Sequence, residues 1–412
     1  MGEIFIIIFL FLTLYFEVFL VVTYFENRSD YKRSIPSKHL RYTPSVTIIV
    51  PAWNESKTLT GTVESLLSLD YPKNKLEIFI VDDGSRDDTL SIANQYSKNP
   101  QVKIFHKENG GKYTALNHGI ENSTSELIGC LDADSFVDSA ALKAIVPHFN
   151  DKKVMAVTPS VQIYKPNNFL SKIQSVEYMI GEFTRKTFSK FDGLYVTPGP
   201  FSFYRRSVFK KIGGFKLAFN AEDMEMALRM QSHGMKITNA QDAIVYTVSP
   251  SNFRSLYKQR VRWTSGFLKN AFFSYRHMFF NPKYGELGML VLPVAFCSIF
   301  IALFFTFFWF YSILKEGYDL IVQWSIVPPN FNFEKFPSLD WFTVNTEISR
   351  VLLCVLFCIS IFFIIRGVKI TKGYFKMSRD IIYFLCLYSF LAPFWLAKSV
   401  YNLITSKNAD WR

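Results

Sequence analysis

The two carboxylates of Asp132 and Asp134 have the spacing in this chain that most directly suggests chemistry. Residues two apart in extended backbone project to the same side, so these carboxylates would lie together. Paired carboxylates repel each other unless a proton or a cation joins them. Hard oxygen ligands with open positions suit Mg²⁺ or Mn²⁺ carrying a diphosphate. The pattern alone therefore leaves two interpretations, a divalent-metal site and an Asp-rich turn without a ligand.

Two further clusters have polar groups suited to a nucleotide. Asp82 and Asp83 follow an apolar run and precede a glycine and a serine, so they indicate either a strand-ending turn or carboxylates that accept hydrogen bonds from a base or a ribose. Lys112 follows an asparagine and two glycines and opens a predicted helix. A helix N-terminus with a lysine can hold phosphate, although a glycine turn with a surface lysine fits as well.

The third group of candidates lies further along the chain. Glu222 and Asp223 begin a stretch with helical spacing, where acids either complement the helix dipole or include a general base. Gln259, Arg262 and Trp263 lie in a segment, residues 253–280, that mixes basic and aromatic residues. Such a segment is typical of a helix in the membrane interface, with a basic face that snorkels.

Alternating strands and helices are predicted to position the first two groups. The sequence predicts strands at residues 46–50, 76–81, 102–105 and 126–131, with helices at 56–67, 87–96 and 112–120. This rhythm predicts βαβ units and a mainly parallel sheet. Ligands of such sheets bind at the carboxyl ends of the strands. The polar clusters fall at those ends, including Glu55 after the first strand.

Four long apolar stretches predict membrane-spanning helices. They cover residues 4–24, 287–314, about 347–365 and 381–404, and Pro393 predicts a kink in the last one. A signal peptide is the alternative for the first stretch, but the residues before it include no Lys or Arg, so a retained helix is preferred.

The charges between these stretches predict their orientation. Basic residues follow the first stretch (Arg28, Lys32, Arg33, Lys38, Arg41) and separate the third from the fourth (Arg366, Lys369, Lys372, Lys376, Arg379). Acidic residues dominate between the second and the third (Glu316, Asp319, Glu334, Asp340, Glu347). The positive-inside rule then places the polar domain in the cytoplasm and both termini outside, in the cell membrane.

Composition agrees with a membrane protein. Aromatic residues make up 17% of the 412 residues, and the net charge is +12. The basic residues lie beside apolar segments, and there is no zinc-finger spacing or arginine-rich arm, so nucleic acid is not an expected partner. The five cysteines form no CxxC pair, which argues against a disulfide framework or a zinc site.

The order of the motifs resembles a known family. It is similar to the family-two inverting glycosyltransferases in their membrane-bound branch, which includes synthases of cellulose, chitin, hyaluronan and poly-N-acetylglucosamine. The matching motifs span roughly residues 46–265 and follow one another in family order: Pro51-Ala-Trp-Asn-Glu55, Val81-Asp-Asp-Gly-Ser85, Lys112 with Ala115-Leu-Asn117, Asp132-Ala-Asp134, Glu222-Asp223 and Gln259-Arg-Val-Arg-Trp263.

The resemblance implies a fold and a set of roles. The fold is a GT-A-like α/β nucleotide-diphospho-sugar transferase domain. Asp82 or Asp83 would bind the uridine of a UDP-sugar donor. Asp132 and Asp134 would hold its diphosphate, Asp134 through Mg²⁺ or Mn²⁺. The other donor-binding residues implied are Glu55, Lys112, Gln259 and Arg262.

The acceptor side follows from the same resemblance. Asp223 would deprotonate the acceptor hydroxyl, Trp263 would stack on the acceptor sugar, and Glu222 would also bind the acceptor. One base without a second nucleophilic carboxylate implies single displacement with inversion. The acceptor would be a polysaccharide, extended from UDP-N-acetylglucosamine as first candidate, with export a further possibility; an accessory subunit is left open.

Two alternatives stay open. Ceramide glucosyltransferase-like members share the acidic clusters but add one sugar to a lipid. A non-catalytic sugar-nucleotide sensor would keep the fold, although it would not need Asp223. A transporter with a nucleotide domain is disfavoured because the chain has no P-loop.

The predicted organisation has four parts. Residues 1–27 form a membrane helix and residues 40–250 the glycosyltransferase domain. Residues 251–283 form an amphipathic interface segment, and residues 284–412 contain three membrane helices.

Overall fold

A computed structural model describes residues 2–32, 42–326 and 347–405 of the chain. It contains eight strands: β1 Val46–Ala52, β2 Leu76–Asp82, β3 Val102–His106, β4 Leu127–Cys130, β5 Ser135–Val137, β6 Val154–Ile163, β7 Ser202–Arg205 and β8 Lys236–Thr247. Its α-helices are α1 Gly2–Glu26, α2 Leu59–Leu67, α3 Thr89–Asn94, α4 Lys112–Asn122, α5 Ala141–Ile145, α6 Phe169–Phe188, α7 Arg206–Ile212, α8 Glu222–Ser232, α9 Phe253–Lys269, α10 Leu292–Ile326, α11 Ile348–Lys372 and α12 Arg379–Ile404.

The strands form one mixed sheet in the order β3-β2-β1-β4-β7-β6-β8-β5. The four strands predicted from the sequence pair in parallel, with Val46 opposite both Leu76 and Leu127. Beyond β4 the sheet departs from that pattern. β7 lies antiparallel to β4 and β6, and β5 lies antiparallel to β8, whereas β6 and β8 are parallel. The α/β class with a GT-A-like sheet is confirmed, and its second half is mixed.

Burial on both faces explains the continuous apolar runs of the central strands. Ile48 and Val50 of β1 are fully buried on the face that carries α2 and α5. Ile49 lies on the opposite face with Phe79 and Ile128, in the core formed with α4 and α8. The sheet is therefore fixed from both sides, and the loops at its carboxyl edge are the parts free to hold a ligand.

Four helices among the described residues are long and apolar enough to cross a membrane. They are α1, α11, α12 and the stretch Leu287–Ile326, in which a π-turn leads into α10. The second is longer than predicted, because the helix continues through the acidic residues after Leu314. α12 continues through Pro393.

The predicted orientation and domain boundaries stay predictions. Among the residues used for the orientation, Arg33, Lys38, Arg41, Glu334 and Asp340 lie outside the described residues.

A close helix contact joins the sheet-containing part of the protein to a membrane-length helix. α11 packs against α6 at Gly367, where an added Cβ would lie 2.4 Å from the backbone oxygen of Met179 and 3.0 Å from the nitrogen of Ile180. Backbone atoms cannot move aside as a flexible side chain can. Glycine therefore sets the distance between these two helices.

We expect Gly367→Ala to destabilise the protein by about 1 to 3 kcal/mol, because the methyl group forces α11 away from α6. Thermal unfolding of the detergent-solubilised protein measures this. Gly317→Ala in α10 is the matched control, since its Cβ would meet nothing within 4 Å. Equal unfolding temperatures for the two variants would contradict the close contact.

Candidate active site

The carboxyl ends of β1, β2 and β4 bring the predicted acidic residues to one edge of the sheet. Because β1 lies between β2 and β4, the loops that follow these strands are neighbours. Glu55, Asp83, Asp132 and Asp134 line one cavity at this edge, of about 570 Å³. The sequence prediction that these groups converge agrees with this placement.

A second cavity of about 560 Å³ lies beside the first and includes Asp223, Gln259 and Trp263. Its far wall is the helix α6, which contributes Glu177 and Tyr178. Six residues line both cavities: Lys112, Asp132, Asp134, Asn220, Glu222 and Arg262. The two cavities therefore meet at a strip of charged groups, as two substrates that react with each other require.

Lys112 lies at the centre of that strip. Its Nζ is 2.6 Å from Asp132 Oδ1 and 3.3 Å from Glu222 Oε1. Burial lowers the pKa of Lys112, but the carboxylates of Asp132, Glu222 and Asp223 outweigh it and raise the pKa well above its usual value. Lys112 is therefore positively charged throughout the physiological pH range. It joins the loop after β4 to the start of α8.

The loop before β7 closes over this ion cluster. A Cβ at Gly199 would lie 2.7 Å from Lys112 Nζ and 3.0 Å from both carboxylate oxygens of Asp132. A side chain there would displace the end of the Lys112 side chain and crowd the Asp132 carboxylate. The backbone of this loop thereby covers the lysine and limits the space beside Asp132.

Asp134 is the carboxylate best suited to a cation. Burial, together with the carboxylates of Asp132 and Glu55, raises the pKa of Asp134 to about 7. Its Oδ1 accepts a hydrogen bond of 3.1 Å from the Ser135 hydroxyl. A divalent cation would remove the repulsion that raises this pKa, so the donor set fits Mg²⁺ or Mn²⁺. Within residues 2–32, 42–326 and 347–405 no group of three or more His, Cys, Asp or Glu is placed to hold a metal by itself, so further ligands would have to come from substrate or water.

Asp82 and Asp83 have different surroundings. Asp83 lines the first cavity, and its carboxylate accepts hydrogen bonds from the N–H groups of Gly110 and Gly111 at 3.1 and 2.8 Å. Asp82 is fully buried, and its Oδ2 lies 2.7 Å from His106 Nδ1. Asp83 is thus the member of the pair that lines the cavity, while Asp82 is turned towards β3.

Asp223 and Glu222 begin α8 beside the ion cluster. Burial and the carboxylate of Glu222 raise the pKa of Asp223 to about 6, although Lys112 and Arg262 act in the opposite direction. The backbone oxygen of Asp223 accepts a hydrogen bond of 2.7 Å from the Thr197 hydroxyl. A carboxylate held in place with a pKa near neutrality has the properties of a general base.

Gln259, Arg262 and Trp263 all lie on α9 and reach the second cavity. Arg262 also reaches the first cavity. Gln259 Oε1 is buried and has no hydrogen-bond partner within the described residues. The Trp263 ring is 37% exposed, and the guanidinium of Arg260 stacks on it at 4.4 Å. The predicted interface helix therefore provides one wall of the site.

Sequence reasoning missed the segment that leads into α8. Ala218, Phe219 and Asn220 have φ angles of 45°, 57° and 62°, which is rare for residues other than glycine. Asn270 Nδ2 donates to the oxygen of Ala218 at 3.0 Å, and the Nζ of Lys269 lies 5.4 Å from the Phe219 ring. These contacts hold a strained conformation that places Asn220 between the cavities. Nothing in the residue types predicts it.

The mixed sheet and the residues gathered at its carboxyl edge agree with the nucleotide-diphospho-sugar transferase fold that the motifs indicated. Residues 47–213 match the sequence model of glycosyl transferase family 2. This segment is therefore similar to glycosyl transferase family 2, in agreement with the resemblance noted in the motifs.

Two staphylococcal proteins are similar to this chain over part of its length. The chain is 31% identical over 263 residues to poly-beta-1,6-N-acetyl-D-glucosamine synthase of Staphylococcus epidermidis. It is 30% identical over 261 residues to the synthase of the same name from Staphylococcus aureus. Each match covers 62% of this chain and 63% of the relative, which is less than two thirds of the relative's length.

A solved structure supports the fold over the whole chain. The mannosyltransferase PcManGT from Pyrobaculum calidifontis, in complex with GDP-Man and Mn²⁺, superposes with a TM-score of 0.60. The alignment covers 98% of this chain and 99% of that protein, at 17% identity. The arrangement of catalytic sheet and long apolar helices is thus shared with a known glycosyltransferase.

We expect Lys112→Met to lower the free energy of unfolding by about 2 to 3 kcal/mol, because Asp132 and Glu222 then face each other without a cation. Thermal unfolding in detergent measures the loss. Lys103→Met on β3 is the control, since the Lys103 side chain is 52% exposed and its pair with Glu77 lies at the surface. An unchanged unfolding temperature for Lys112→Met would show that the cluster is not structural.

Proposed function

We propose that this protein is a membrane-embedded glycosyltransferase that transfers a sugar from a UDP-sugar to the hydroxyl of a growing polysaccharide, with inversion at the anomeric carbon. The observation that carries the proposal is the meeting of two cavities at Lys112, Asp132 and Arg262, with Asp223 in the second cavity. UDP-N-acetylglucosamine is the first candidate donor, because the relatives are named as N-acetylglucosamine polymer synthases.

The donor is assigned to the first cavity. Asp83 and the glycines it holds form the wall suited to a nucleoside, and Asp132 and Asp134 lie at the other end. The diphosphate would then lie where the cavities join. There the cations of Lys112 and Arg262 can neutralise the charge that develops on the leaving group.

A divalent metal, Mg²⁺ or Mn²⁺, is assigned to Asp134, with Asp132 shared between the metal and Lys112. Bound there, the metal would supply Lewis-acid stabilisation of the diphosphate. The high pKa of Asp134 supports this role, because a carboxylate crowded by two others gains most from a cation.

The reaction is a single displacement. The carboxylate of Asp223 accepts the proton of the acceptor hydroxyl, and that oxygen forms the bond to the anomeric carbon. The bond from the anomeric carbon to the diphosphate oxygen breaks at the same time, and its electron pair leaves with the nucleoside diphosphate. Attack from the side opposite the leaving group inverts the configuration.

The acceptor is assigned to the second cavity. Tyr178, Tyr195 and Trp263 offer rings for stacking on sugars, and Glu177 offers a hydrogen-bond acceptor. Ile180 and Phe188 of α6 also line this cavity, so a lipid-linked acceptor is the second candidate.

A panel of UDP-sugars tests the proposal. Membranes containing the protein are incubated with each donor and Mg²⁺ or Mn²⁺, and nucleoside diphosphate release and product length are measured. We expect release with UDP-N-acetylglucosamine, its loss on chelation of the metal, and a polymeric product. A product with one sugar per lipid would favour the lipid-linked acceptor over the polysaccharide. A product with the donor's anomeric configuration would exclude the single displacement.

Asp223→Asn is expected to reduce kcat by about 10² to 10⁴-fold, because the amide cannot take the proton. In the parent enzyme kcat/KM should fall as the pH drops below about 6, since protonation of Asp223 removes the base, by about tenfold per pH unit.

Asp88→Asn, at an exposed position on the same domain, is the control and should keep the parental rate and pH profile. A flat acidic limb in the parent, or an active Asp223→Asn enzyme, would exclude Asp223 as the base.

A further inference from the structure

A chain of polar contacts leads from a membrane-length helix to the second cavity. The hydroxyl of Tyr388, on α12, donates to Glu177 Oε1 at 2.8 Å. The other oxygen of Glu177 accepts a bond of 2.7 Å from Arg260 Nη2 on α9. The guanidinium of Arg260 lies 4.4 Å from the Trp263 ring, over its face. Residues of α12, α6 and α9 thus form one series of contacts that ends at the Trp263 ring.

The burial of Arg260 is unusual for a structural residue. Its side chain is 4% exposed, and its Nη2 donates to Glu177 while the Tyr178 hydroxyl lies beside it. Its Nε and Nη1 have no hydrogen-bond partner of good geometry within the described residues. An incompletely paired buried guanidinium is costly, and an apolar side chain of similar size would pack there at lower cost. The arrangement therefore fixes the position of Arg260 at the expense of stability.

Arg260 can transmit that position to Trp263. The two residues are three apart on α9, so they lie on neighbouring turns of one face. A cation over the face of an indole is attracted by the ring quadrupole and favours one orientation of the ring. The Trp263 ring is partly exposed and lines the second cavity, so its orientation decides what surface a bound sugar meets.

The same stretch of α9 contacts α12 at two further points. Asn402 Nδ2 donates to Ser265 Oγ at 3.3 Å. The Ser399 hydroxyl donates to the Trp395 oxygen of its own helix at 2.7 Å and lies 3.4 Å from the backbone oxygen of Val261. Ser399 and Asn402 are buried. α12 is therefore bonded both to α9 itself and, through Glu177, to the residue that stacks on Trp263.

We propose that Tyr388 and Glu177 are positioning residues that act through Arg260 to hold the Trp263 ring as a stacking surface for the acceptor sugar. This inference rests on the proposed function, because it takes the second cavity as the acceptor site. It goes further by making a residue of a membrane-length helix a determinant of acceptor binding. The donor cavity includes none of Tyr388, Glu177, Arg260 and Trp263.

The first test uses a kinetic separation. Tyr388→Phe removes one hydroxyl and leaves Glu177 free to turn from Arg260. We expect the KM for a β-1,6-linked N-acetylglucosamine oligosaccharide to rise about fivefold to tenfold, the fold-change that corresponds to the net contribution of one typical hydrogen bond. The donor KM and kcat at saturating acceptor should stay unchanged. Tyr383→Phe, on the same helix with its ring against Phe169, is the control.

A double variant tests whether Tyr388 affects acceptor binding through Trp263. In a Trp263→Ala background, Tyr388→Phe should not raise the acceptor KM further, because the residue through which it acts is gone. An equal rise in both backgrounds would overturn the proposal, as would an unchanged acceptor KM for Tyr388→Phe in the parent.

Tryptophan fluorescence tests the positioning role independently of transferase activity. The emission lost in Trp263→Phe defines the contribution of Trp263, and we expect Tyr388→Phe to change that contribution while Tyr383→Phe does not. This readout needs no turnover. A protein with no transferase activity on any donor would overturn the proposed function, yet unchanged emission in Tyr388→Phe would overturn the positioning role by itself.

Discussion

The ion cluster of Lys112, Asp132 and Glu222 is the constraint on which the site depends. It joins the start of α4, the end of β4 and the start of α8, elements that are far apart in the sequence. Without the lysine, the sheet would end in a group of carboxylates that repel one another. With it, the acidic residues stay close enough to act on one diphosphate. The same cation lies between the two cavities, so the group that stabilises the fold is also placed to act on the substrate.

A second constraint is the attachment of the catalytic part to the apolar helices. α6 packs against α11 and α12, and α9 packs against α12. The helices α6 and α9 also form walls of the second cavity. The long apolar helices α11 and α12 therefore support the walls of the site.

The sequence predicted the parts that depend on local pattern. The apolar runs predicted where the strands end, and parallel strands that are neighbours have their carboxyl ends at the same edge of the sheet. The structure has Glu55, Asp83, Asp132 and Asp134 together at that edge, as predicted. The sequence did not separate Asp82 from Asp83, since which of two adjacent carboxylates enters the cavity depends on the loop packed against them. It missed the left-handed segment before α8 and the role of α6. Both are set by tertiary contacts from α9 and the long apolar helices, which leave no local signal.

The packing of α1 has a consequence for biosynthesis. α1 packs against α11, whose first residue follows the end of α1 by roughly 320 residues. At about 5 to 20 residues per second, a ribosome needs on the order of 15 to 60 s to make that interval. The contacts of α1 with α6 and α10 can form earlier, whereas its larger contact with α11 forms only after the whole sheet has been synthesised. The nearly uniform apolar surface of α1 suits a helix that must be stable alone in lipid before it becomes part of a bundle.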